Sequence, residues 1–231
     1  MPSLNVPLMR EVSRARFAAA SLPRKASREP YYQYFDAMAS ALKQAVDTWR
    51  VQAVISDVKI MGPNAFGGKI TLPALEGMIR GFAPAGPWDP YSRAIAAGVH
   101  NQVRAMCSLA VFPGLPLYPA FAAFPLPMAP PMPNVPTSLM TFVLPGLVQV
   151  ETTPVRDQII GKYPTPKPLY ANEVAGAIAE GFSKAMQQWL GSQQILNLMG
   201  TGRVPAYAPP YVPVGPVVNG WVLANPGSIA A

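Results

Sequence analysis

Charge is scarce in this chain: only 13% of its 231 residues are Asp, Glu, Lys or Arg, where an ordinary globular domain has about 25%. Histidine and cysteine occur once each, as His100 and Cys107. One cysteine excludes an intrachain disulfide framework and a cysteine metal set, and one histidine excludes a multi-histidine metal centre. The two lie two helical turns apart, too distant for easy direct proton transfer, so they do not read as a catalytic pair. Asp47, Asp57, Glu76 and Asp89 show no paired-carboxylate spacing. The glycines of GPNAFGGK miss the spacing of a phosphate-binding loop, and Ile70 stands where its magnesium-binding hydroxyl would be. The expectation is therefore a protein that is not an enzyme, with no catalytic residue, no cofactor and no metal ligand to name.

An uninterrupted membrane span is also lacking. Residues 109-133, LAVFPGLPLYPAFAAFPLPMAPPMP, are apolar for the roughly 20 residues a span needs, but recurring prolines break the internal hydrogen bonding that lipid demands. The segment reads as an extended arm or packed loop, with membrane-surface contact as a lesser alternative. The start, MPSLNVPLMREVSRARF, has no continuous apolar run before a small-residue cleavage site, so secretion by a signal peptide is not expected.

What the chain has in quantity is apolar residues, 50%, and proline, 29 residues. That much proline limits regular helix and disfavours central strands. With so little polar side chain, a lone monomer would struggle to cover itself, and burial against neighbours is the expected remedy.

An alanine-rich amphipathic pattern followed by a Gly, Pro and apolar run occurs three times. In the first and third copies a Trp precedes a Gly by thirteen residues, Trp49 to Gly62 and Trp189 to Gly202, which suggests an internal repeat. The predicted fold is mainly α with extensive irregular proline-rich arms, as three helix-plus-extended-arm units with short β-hairpins as an option. The units are a basic N-terminal arm over 1-30, unit 1 over 31-87, unit 2 with its proline-rich segment over 88-161, a stiff linker over 162-168, and unit 3 with a C-terminal arm over 169-231. Helix one is expected over 31-58, burying Phe35, Met38, Leu42, Ala45, Val46, Trp49 and Ala53 at three and four residue spacings. A short helix is expected over 74-82, a second long helix over 90-111, a hairpin within 139-153 around Pro145 and Gly146, and a third long helix over 172-198.

Helix followed by arm is a plan for building assemblies. It resembles, in style and through no shared motif, minor structural and cement proteins of phage-like particles, where arms lock neighbouring subunits. That resemblance implies a non-enzymatic structural, cement or joining subunit of a large multisubunit complex, located in a virion or a large cytoplasmic assembly. Its partners would be other protein subunits, copies of itself among them. Trp49, Trp189, Tyr207, Tyr211 and Trp221 are the candidate interface residues, as large aromatics suit neighbouring pockets. The alternatives are a nucleic-acid-facing basic component of a particle, with Arg10, Arg14, Arg16, Arg24, Lys25 and Arg28 meeting a polyanion, and a peripheral membrane-associated protein.

Overall fold

Asn5 accepts a hydrogen bond from the Leu8 N–H on its side chain, and Pro7 occupies the first turn, where no N–H is needed; helix α1 (Val6–Ala18) starts there. Met9, Ser13 and Phe17 recur every fourth residue and are buried. The expected basic arm thus contains a packed helix, because its apolar stripe is worth more buried than its arginines are in water. The computed structural model describes residues 3–20, 27–71, 73–208 and 212–230.

After α1 come α2 (Glu29–Gln52), the hairpin of β1 (Val54–Met61) and β2 (Asn64–Thr71), α3 (Leu75–Phe82) and α4 (Asp89–Ser108). The proline-rich middle supplies β3 (Phe112–Pro116), β4 (Met128–Met132) and β5 (Thr137–Ser138), followed by α5 (Leu139–Val143), α6 (Thr152–Ile160) and α7 (Ala171–Ser192). The remainder gives β6 (Gln194–Ile195), β7 (Gly200–Arg203), β8 (Tyr207–Ala208), β9 (Val212–Pro213), β10 (Val218–Val222) and β11 (Ile229–Ala230). Six of these strands form one antiparallel sheet in the order β3-β2-β1-β10-β7-β4.

This is an α/β fold, with seven α-helices and a six-stranded sheet among the described residues, and it overturns the expected mainly α fold with extended arms. Four segments account for the difference. Helix α2 ends at Gln52, Ala53 turns extended, and β-branched Val54, Ile55, Val58 and Ile60 continue as a strand. Helix α7 ends at Ser192, short of the expected 198. In 139-153 the expected hairpin is α5 and a 3-10 stretch (Leu144–Val150), since Leu139, Phe142, Val143, Gly146 and Val150 share a helical face and are buried. Finally, the C-terminal segment is no free arm: β10 lies between β1 and β7 in the chain's own sheet. The prolines fit because Pro113, Pro116, Pro130 and Pro131 sit in β3 and β4, the two edge strands, where a missing N–H costs least.

The two Trp-bearing helices lead into equivalent directions. α2 feeds β1 and α7 leads to β7, and both strands are antiparallel to the β10 between them. They therefore run the same way.

Between Ile55 and Val58, both buried, ordinary alternation would turn one outward. Positive φ at Asp57 (56°) and, on the opposing strand, at Gly67 (70°) and Gly68 (92°) re-phases both strands while their register is kept. The result places Val58, Ile60 and Ala65 in the core with Trp49, Ile95, Val99, Ile178 and Trp189. Lys59, Met61 and Phe66 are left on the other face.

Candidate functional site

Among the described residues, that other face of the sheet is exposed at Lys59, Met61, Phe66 and Trp221. The register pairs Phe66 with Lys59, Lys59 with Trp221, and Trp221 with Thr201, so these four stand in one row across β2, β1, β10 and β7. Phe66 and Trp221 are each 41% exposed and neighbouring Met61 is 45% exposed. At about 4.8 Å per strand the two rings are anchored roughly 10 Å apart, with the Lys59 stem between them. Thr201 is covered, its hydroxyl donating to the Ala129 carbonyl. Two residues along β7, Arg203 stands on the same face by alternation and is exposed.

Electrostatically the row is cationic. Among the described residues neither Lys59 nor Arg203 forms an ion pair, whereas the nearby acid Asp57 is bound to Lys69. Exposed rings beside unneutralised cations can stack on flat groups and attract negative ones. Among the described residues the face holds no acid–base constellation.

The structure separates the expected interface aromatics. Trp221 lies on the open face. Trp49 and Trp189 are in the core, 1% and 2% exposed, packed on each other. Tyr207 belongs to β8, where only its backbone is described, and Tyr211 lies outside the described residues. The expected polyanion contacts also divide. Arg10 and Arg14 both reach Asp36 on α2, Arg14 also lying over the Tyr32 ring, and Arg16 approaches Glu180 on α7 at 3.7 Å. Their charge is spent partly on holding α1 to its neighbours. Arg28 precedes α2, and Arg24 and Lys25 lie outside the described residues.

Lys59, Phe66 and Arg203 were not singled out by sequence reasoning. The signal available was the alternation Val58, Lys59, Ile60, Met61, which begins where the expected helix over 31-58 ends.

A cleft of about 510 Å³ is lined by Lys69, His100, Arg104 and Cys107, among others. Burial pushes the Cys107 thiol up to about 12 and lowers His100 below its usual value. Both are neutral at neutral pH, so no thiolate–imidazolium pair forms there. A second cleft of about 650 Å³ at the start of α7 is lined by Arg16, Arg156, Lys167, Asp157 and Glu173. Two of its cations already pair, Arg16 with Glu180 and Arg156 with Asp157.

No helix among the described residues is long and apolar enough to cross a membrane. Comparison with protein-family models, curated proteins and solved structures finds no match to this chain.

Proposed function

We propose that this protein is a non-catalytic structural subunit of a larger assembly, and that the open face of its sheet is the surface through which it joins. The observation that carries this reading is the row of Phe66, Lys59 and Trp221. Two large rings held exposed in one row across neighbouring strands have little use in a monomer, and exposed aromatics of this kind concentrate binding energy at interfaces. The low charge content agrees, because it leaves little polar surface with which to keep such a face in water.

The prolines support the same role differently from the expected clamping arms. Placed in both edge strands, they discourage strand-to-strand aggregation while leaving the sheet face free. Attachment is then made by the face.

The test is the mass of the native species by light scattering after size separation, for the wild type and for Phe66→Thr/Trp221→Thr. Threonine keeps the strand preference. The wild type is expected in a defined complex and the double variant as a folded 24.7 kDa monomer. A wild type that stays monomeric with nothing co-purifying would reject the proposal.

A further inference from the structure

We infer that the open sheet face binds single-stranded nucleic acid; this rests on the same face being the contact surface, and names what it takes.

Three observations select the occupant. The first is the alternation of ring, cation, ring in the Phe66, Lys59 and Trp221 row, with Arg203 on the neighbouring strand. Unpaired bases stack on exposed aromatics, and phosphates between them need cations at that spacing scale. The second is charge. Lys59 and Arg203 have no ion-pair partner among the described residues, Asp57 on the same strand as Lys59 is paired with Lys69, and the whole chain carries a formal net charge of +7. An apolar protein surface would leave both cations buried and unpaired. A second copy docked two-fold on this face would set each cation against its own kind. A polyanion with flat groups satisfies rings and cations together.

The third is access. Pro113, Pro116, Pro130 and Pro131 remove N–H donors from both sheet edges, so a ligand is not favoured to add as a strand and must lie across the face. The exposed rings offer stacking to splayed bases, and among the described residues the face presents no helix to enter a duplex groove, so single strands are preferred over duplex.

The experiment is fluorescence anisotropy of a labelled oligothymidylate of about 20 nucleotides, at several salt concentrations. The full-length wild type is compared with Trp221→Thr, Phe66→Thr and Lys59→Gln, with circular dichroism checking that each remains folded. Wild type is expected to bind and to weaken with salt. Each aromatic substitution should cost roughly tenfold in affinity or more, and Lys59→Gln should flatten the salt slope by about 0.7. A duplex of equal length should bind more weakly than the single strand.

Absence of oligonucleotide binding, or binding that all three folded variants retain unchanged, overturns the inference. If binding is absent but the native complex still falls apart in Phe66→Thr/Trp221→Thr, the face is a protein interface and only this inference fails. If the complex is also indifferent to that double variant, the proposed contact surface fails with it.

Discussion

Trp49 and Trp189 meet in the core with ring centroids 6.1 Å apart and planes inclined at 56°. One comes from the end of α2 and the other from the end of α7, each a few residues before its helix gives way to extended chain. Neither indole N–H has a hydrogen-bond partner among the described residues, so the pair is held by shape and dispersion. Replacing Trp49 with Ala should cost about 3–5 kcal/mol through lost burial and the cavity left behind. Trp49→Phe should cost much less, since no hydrogen bond is lost. A double-mutant cycle in urea with Trp189→Ala should return a coupling of about 0.5–1.5 kcal/mol beyond the additive cost.

Two glycines of α7 should respond to alanine with opposite signs. At Gly181 an added Cβ would lie 2.8 Å from the Met9 carbonyl oxygen and 2.5 Å from Ser13 Oγ, because α1 crosses there and Ser13 Oγ donates to the Ala177 carbonyl. Gly181→Ala should therefore loosen the α1–α7 crossing and destabilise the protein. Gly176 has open space at its Cβ position, so Gly176→Ala should stabilise by about 0.5–1 kcal/mol through helix propensity alone. Thermal melting of the two variants checks the sign of each.

The helices α2, α3, α4 and α7 were legible in the sequence because their signal is local, whereas α1 lies in the expected basic arm, α5 in the expected hairpin, and α6 matches no expected helix. The stripe from Phe35 to Trp49, the short helix at Leu75–Phe82 and the helix at Asp89–Ser108 each declare an apolar face within a few turns. The sheet was not. Val54, Ile55 and Val58 also suit a helical stripe continued from Trp49; what makes them a strand is pairing with Thr71, Ile70 and Gly67 of β2, while Lys59 and Ile60 of the same strand pair with Trp221 and Gly220 far along the chain. The stretch around Gly220 reads as an arm because proline surrounds it, although the five residues of β10 contain none. At the candidate site Trp221 stood out by size alone. Phe66 and Lys59 acquire meaning only when the register sets them beside it.

Burial should make Cys107 inert in the native protein. Its thiol is pushed up to about 12, so the reactive thiolate is absent at pH 8, and a thiol reagent should label it only after unfolding. The same shift fixes a pH dependence. The unfolded thiol ionises near its ordinary value while the folded one stays protonated, so stability present below about pH 8.5 declines as pH rises toward 12. His100 acts at the other end: its folded value is lowered by burial, so it contributes stability above its ordinary value near 6.5 that is lost as pH falls. Denaturation midpoints across pH should show both declines, with Cys107→Ala removing part of the alkaline one and His100→Gln part of the acid one.

Asn134 ties the proline-rich middle to the segment after α7. Its amide nitrogen donates to the Ile195 carbonyl at 2.9 Å, and its amide oxygen accepts the Leu198 N–H at 2.8 Å. The residue is 5% exposed, so water does not replace what is removed. Asn134→Ala should cost about 2–3 kcal/mol, most of it from leaving buried backbone groups without partners. Asn134→Asp makes a sharper test because it is isosteric. The ionised carboxylate still accepts from Leu198 but faces the Ile195 carbonyl oxygen with no proton to donate, and its charge is buried. Protonated, it recovers one of the two donors, since the Asn134 amide nitrogen also bonds the Val135 carbonyl at 2.7 Å. The Asp variant should therefore gain stability relative to wild type as pH falls from 7 toward 5, against the usual acid trend. Parallel urea titrations of wild type and Asn134→Asp at the two pH values measure this; an unchanged difference would show that Asn134 does not hold both backbone groups.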